Sequence, residues 1–335
     1  MNFKFTFYKP LLLFLSIFIC SIFFLYLSIM DTKISCNQCN FVINKNENAY
    51  QVAYRLDSLK ILNGSKLFLI ASKILFLDAS LKPGNYNLSD ITNMKDLLLR
   101  LSNPNYDYVS VTIPEGWSIE QISEKLVSAK LIDIEIFDSL CNDYKFIHSL
   151  GFQDINNLEG YLFPDTYFIS SHQDEVEIIK MMTQKFQDII KSQNLEFKNY
   201  GFNLHELLTF ASIIQGEAAS VDEMKTISSV FHNRLNKKMF LDANATIQYV
   251  IPGKNRRLMN KDLEIDSEYN TYKHKGLPPG PINNPGLDAI IAACYPDKTQ
   301  FIYFVKNPDS FGKHTFSKTF GEHEKARKKY LRSLK

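Results

Sequence analysis

The stretch FASIIQGEAAS, Phe210–Ser220, closes an apolar run with a single carboxylate, Glu217, set among small residues. Asn203 followed by Glu206 has the form of a capping box, so a helix is expected to start at Leu204. On that helix Leu207, Phe210, Ile213, Ile214 and Glu217 fall on one side, at spacings of three and four. Glu217 therefore prolongs the apolar stripe instead of opposing it. Gly216 and Ala218 add no bulk beside it and leave room for approach. A carboxyl among apolar neighbours keeps its proton to higher pH, because desolvation penalises the charged form. Glycoside cleavage uses such a group as general acid. The plainer reading is a frayed helix end with Glu217 reaching water.

Downstream, Ser220 and Glu223 suggest a second capping box and a second helix. Met224, Ile227, Val230, Phe231 and Leu235 form its apolar stripe. Two helices joined at 218–220 place Glu217 at a corner, where clefts form. FLDANATIQYVI (240–251) reads as extended. A Pro/Gly-rich loop then leads to a helix opened by Asn284 and Pro285. QFIYFV (300–305) and HTFS (314–317) read as strands, and a basic helix closes the chain.

Upstream, Tyr161, Phe163, Tyr167 and Phe168 flank Pro164 and Asp165 in NNLEGYLFPDTYF (156–168). Such rings pack against sugars, but they read first as core. Glu159 and Asp165 are the acids of this stretch, and a charged, solvent-facing helix is expected over 174–193. Val109, Val111 and Ile113 alternate as in a strand. A turn at 114–116 follows, and Ser118 with Gln121 makes a capping box for a helix with Ile119, Ile122, Leu126 and Leu131 on one face. This strand–turn–helix resembles a LysM-like subdomain, although a packing module without a ligand fits the residues equally well. Trp117, the only tryptophan, either stacks on a sugar or fills a gap. Within 31–107 the expected elements are a helix at 66–77, a turn and strand at 81–90 and a short helix at 93–102.

At the N-terminus, LLLFLSIFICSIFFLYLSIM (11–30) carries no charge and is long enough to cross a bilayer core of about 30 Å. Lys4 and Lys9 precede it and Asp31 follows, so the N-terminus is expected in the cytoplasm and the bulk outside it. The run is longer than a signal-peptide core and no small-x-small cleavage site follows, which favours an uncleaved single-pass anchor. Cys36 and Cys39 form a C-x-x-C without further zinc ligands nearby. A redox pair, a small disulfide or incidental cysteines remain open there. A net charge of +2 gives no electrostatic case for nucleic acid. At 335 residues, 45% hydrophobic and 22% charged, the chain has room for the span and two modest domains. No G-x-S-x-G, P-loop or H-E-x-x-H is present, so neither a metal nor a nucleotide cofactor is expected.

The blocks VTIPEGWSIEQISEKL, LEGYLFPDTY, ASIIQGEA, VFHNRL, ATIQY, YNTY, GLPPGPINNPG, IYFV and HTFS…EH occur in an order and spacing that resemble the YceG-like family of endolytic murein transglycosylases. The resemblance implies an α+β protein: a cytoplasmic N-terminus (1–10), a transmembrane helix (11–30), a juxtamembrane mixed α/β region (31–107), a small LysM-like α/β subdomain (108–150) and a larger YceG-like catalytic domain (151–335). It implies a membrane-bound lyase that cuts nascent peptidoglycan glycan strands, leaves 1,6-anhydro-N-acetylmuramic acid ends and needs no cofactor. Glu217 matches the family's catalytic acid. Glu159, Asn233, Arg234, Thr246, Gln248, Tyr249, Asn270 and Tyr272 match family blocks and are candidates to line the glycan cleft. Arg234 could instead brace a loop through an ion pair, and His314 and the Glu322–His323 pair read as structural. Expected partners are the glycan strands, the membrane and peptidoglycan synthases. Where the family often has Asp-Pro, this chain has Asn244-Ala245, with Asp242 two residues earlier. Gln215 stands where some members have Glu. Two alternatives stay in view. A muramidase-type hydrolase needs a second acid, Glu159 or Asp165, about 6.5–9.5 Å away for inversion. A non-catalytic peptidoglycan-binding scaffold needs no acid at all.

Overall fold

Apolar side chains gather into two separate cores, one within residues 1–108 and one within 109–335. The computed structural model describes residues 14, 20, 23–24, 26–34, 40–44, 47–89, 91–103, 108–170, 173–193, 201–251, 256, 258–310 and 313–334. Among these, no helix is long and apolar enough to cross a membrane. The expected span at 11–30 lies largely outside the described residues, as do Cys36 and Cys39.

The first unit pairs β1 (Asn40–Ile43) antiparallel with β2 (Gly84–Asn87), so that Phe41 faces Tyr86. Between them in sequence lie α1 (Ala49–Ser58) and α2 (Ser65–Ile74), and α3 (Met94–Ser102) follows. Asn48 caps α1 by accepting from Gln51 N, while Gln51 accepts in return from Asn48 N, each at 3.0 Å. Phe41, Leu56, Phe68, Leu97 and Leu98 are fully buried between these elements, and Ile29 and Met30 are buried in the same cluster. The elements expected at 66–77, 81–90 and 93–102 are all present.

In the second unit β3 (Tyr108–Thr112) pairs with β4 (Thr166–Ser170). Between them run α4 (Ile119–Ser128), α5 (Ile134–Cys141) and α6 (Tyr144–Ser149). Gln121 caps α4 by accepting from Ser118 N at 3.0 Å. Next comes α7 (Glu175–Gln193), which corrects the solvent-facing helix expected there. Ile178, Ile179, Met182 and Phe186 sit at helical spacing and are buried in the core, so only the charged face meets water.

The corner helices are α8 (Leu204–Glu217) and α9 (Val221–Asn236). The capping box at Asn203 and Glu206 forms, with bonds of 2.8 and 2.9 Å. The one expected at Ser220 and Glu223 does not. Glu223 turns away to accept from His314 N at 2.8 Å, and the Ser220 hydroxyl is buried without a partner. Residues expected to be extended form α10 (Asn244–Val250), a second correction. Thr, Ile, Tyr and Val favour strands, but packing overrides that preference here: Thr246 and Ile247 are buried and α10 lies against α8. α11 (Leu287–Cys294) is capped at Gly286, slightly later than expected, and packs on α8 and α9. β5 (Tyr303–Lys306) and β6 (His314–Ser317) form an antiparallel ribbon, and α12 (Phe320–Ser333) follows.

Candidate active site

Glu217 is the last residue of α8, and Ala218 leaves the helix in extended conformation. The side chain enters a cleft of about 960 Å³ whose walls come from the turn before α4, the α8–α9 corner, α10, the 258–263 segment, the Pro/Gly-rich loop and the β5–β6 ribbon. Among the described residues lining this cleft, Glu217 is the only carboxylate and Lys306 the only lysine or arginine.

The position of Glu217 follows from a close helix contact. A Cβ built on Gly216 would stand 2.6 Å from the Cβ of Ala245, so only glycine lets α10 approach α8 here. The space expected beside Gly216 is thus filled on that side by α10. The approach brings Ala245 N within 2.8 Å of Glu217 Oε1, and the Asn244 backbone also donates to the carboxyl. Burial raises the pKa of Glu217 above the usual carboxylate range. The Ala245 and Asn244 amides, Lys306 and Arg234 pull the other way without cancelling that rise. Asn244 does not supply the charge of an aspartate. Its side-chain carbonyl accepts from Tyr272 Oη at 2.8 Å, and its backbone serves Glu217.

Of the other residues expected in the cleft, Gln248 and Tyr249 line it. Six do not, because their polar groups are spent on the scaffold. Glu159 is buried and accepts from Ile119 N at 3.1 Å and Asn284 Nδ2 at 3.0 Å. Burial pushes its pKa up to about 8 against these bonds and one from Tyr249. Asn233 donates to the carbonyls of Thr299 and Phe301. Arg234 is a brace: its guanidinium donates to the carbonyls of Ile302, Phe240 and Leu241 and pairs with Asp242 at 2.8 Å. Thr246 is buried, bonded to Ala243 O and facing Thr271 Oγ1. Asn270 donates to the carbonyls of Leu263 and Ile265. Tyr272 is held by Asn244 beside the cleft, its phenol kept protonated by burial and then by the charge of Glu217. Asp165 pairs with Lys185 at 2.7 Å and is also outside the cleft.

Lys306, Asn283 and the lip residues Met259 and Asn260 were missed from sequence. The first was within reach. Lys306 directly follows the IYFV block, and pairing that strand with HTFS sets it opposite His314. His314 has a structural bond, as expected, since Nδ1 faces Glu223 Oε2 at 3.1 Å, but it also lines the cleft. Trp117 lines the cleft and is fixed by main-chain pairing with Asn284.

The model of the YceG-like family matches residues 41–329. The chain is 37% identical over 265 residues to an endolytic murein transglycosylase of Bacillus subtilis, covering 75% of this chain and 73% of that protein. It is 30% identical over 329 residues to an endolytic murein transglycosylase of Streptococcus pneumoniae, covering 88% of this chain and 60% of that protein. A crystal structure of a YceG-like protein from Listeria monocytogenes, 32% identical, superposes with a TM-score of 0.59 over 87% of this chain and 99% of the other. The chain belongs to the YceG-like family.

Proposed function

We propose that this chain is a membrane-anchored endolytic peptidoglycan lytic transglycosylase in which Glu217 is both general acid and general base. The observation that carries the reading is a lone, desolvated carboxyl in a cleft large enough for sugar rings. The endolytic murein transglycosylases to which the chain is similar act by the same class of reaction, as their names state.

The Ala245 amide donates to Glu217 Oε1, and the desolvated carboxyl carries its proton in the resting enzyme. That proton passes to the glycosidic oxygen as the bond from C1 of N-acetylmuramic acid to N-acetylglucosamine breaks. The carboxylate formed is stabilised by the two α10 amides and Lys306. It then takes the proton from the C6 hydroxyl as that oxygen closes on C1, giving the 1,6-anhydro end. One carboxyl thus completes the cycle, with no second acid and no activated water. An inverting hydrolase needs a base across the cleft. Glu159 and Asp165, the candidates for it, are committed to Ile119 and Asn284 and to Lys185.

The apolar run 11–30 serves as the anchor and places residues 31–335 outside the cytoplasm. The enzyme then meets strands as synthases extrude them, and cutting there terminates elongation. The LysM-like stretch 108–150 contributes Gly116, Trp117, Ser118 and Gln121 to the cleft wall, which supports a glycan-contacting role for it.

The test is mass spectrometry of peptidoglycan strands digested by the full chain in detergent, beside its Glu217→Gln variant. Anhydro-muramyl ends from the wild type alone are expected. Reducing ends would replace the lyase with a hydrolase. Retention of strands without cleavage by either protein would leave a scaffold.

A further inference from the structure

Beyond its pull on Glu217, the fixed positive charge in the cleft has no assigned role. Lys306 ends β5 and lies in register with His314, the first residue of β6. Both line the cleft that holds Glu217. The Lys306 side chain is exposed, and among the described residues no carboxylate pairs with it. Two acids are near enough to matter, and neither neutralises it. Glu223 gives one oxygen to His314 N and the other to His314 Nδ1. Glu217 accepts from Ala245 N and is uncharged when it carries the catalytic proton. The working cleft therefore presents one ammonium with no carboxylate paired to it among the described residues, on a wall that Phe304 and Val305 also line.

On a glycan strand the sugar rings and acetamido groups are neutral. The negative charge is confined to the lactyl–peptide arm of the muramic sugar. That arm ends in a carboxylate when bare and carries peptide carboxylates when substituted. The glucosamine sugar has no such arm. A cation close to the general acid therefore distinguishes the two alternating sugars and fixes which glycosidic bond meets Glu217. We propose that Lys306 anchors an anion subsite that takes a carboxylate of the muramic arm beside the scissile bond and so sets the register of the strand. The inference rests on the transglycosylase reading and names a specificity determinant within it.

The test compares peptide-bearing strands with the same strands after carbodiimide coupling to methylamine, which turns their carboxylates into neutral amides. The full chain in detergent is assayed on both. Wild type is expected to show KM about tenfold higher on neutralised strands, the scale of one charge-assisted hydrogen bond. In Lys306→Gln the two KM values converge, and in Lys306→Arg most of the ratio returns. Raising salt lowers the wild-type ratio, a reading that needs no variant. A ratio unchanged in Lys306→Gln, or near one in wild type, overturns the subsite. Strand binding to Glu217→Gln gives the same ratio as Kd without turnover. Absence of cleavage by wild type would therefore remove the lyase reading while the binding ratio still decides the subsite.

Discussion

At the scale of single residues, Glu217 and Glu159 illustrate one burial effect with different consequences. Both are desolvated and hold their protons above the usual range. Glu217 faces the cleft, so its raised pKa keeps the acid form available. The rate is expected to fall as pH rises through that pKa, and a pH–rate profile checks it. Glu217→Gln removes this limb together with cleavage. It should unfold no more easily than wild type in alkaline buffer, where the wild type must bury a charge. Glu159 is buried outside the cleft lining and ties Ile119 to Asn284. Its folded pKa of about 8 stands above the 4.5 of an unperturbed glutamate, so the folded state binds the proton more tightly. The stability from this group is complete below about 4.5 and is lost as pH rises through about 8. Denaturant titrations across that window should show stability falling with pH, with a flatter slope in Glu159→Gln. Gly216→Ala places a methyl against Ala245 Cβ. It should cost about 1–3 kcal/mol of overpacking and lower kcat more than it raises KM, because α10 must withdraw its amides from Glu217.

At the scale of elements, periodicity in the sequence located α8 and its apolar stripe, and with it the acid. The Asn203–Glu206 cap could be read because both partners lie within one turn. The Ser220–Glu223 cap misled for the converse reason: Glu223 found a partner 91 positions away in His314. α10 was missed because its strand-favouring residues adopt a helix only against α8. Arg234 fits the brace more than the cleft. Its guanidinium collects the ends of the β5 approach and of the segment entering α10, where Asp242 adopts a left-handed φ of 48°. Arg234→Ala is expected to cost about 2–4 kcal/mol by leaving those carbonyls without donors. The measurement is Tm, which falls even in the Glu217→Gln background, where substrate contacts no longer matter.

At the scale of the whole molecule, the sequence reads as an early mixed region followed by one rich in family blocks. The described residues hold two hydrophobic cores, one on each side of about residue 108. The 108–150 stretch shares its core with α8 and α11: Val111, Leu126 and Phe137 are buried in the same cluster as Phe210 and Ile290. Contacts of that kind join residues far apart in the chain and leave no local pattern to read. Leu98→Ala, in the first core, is expected to cost about 2–5 kcal/mol and to lower hydrogen-exchange protection within 40–103 while amides of α8 and α11 keep theirs. The α10 amides on Glu217 have one further consequence. They belong to the main chain, so any residue except proline presents them. Ala245 thus supplies Glu217 with an N–H that the second residue of an Asp-Pro pair at these positions lacks. Ala245→Pro would strip the carboxyl of one of its two amides while leaving every side chain of the cleft wall except its own in place, so part of the acid's electrostatic setting hangs on a residue whose side chain has no polar atom.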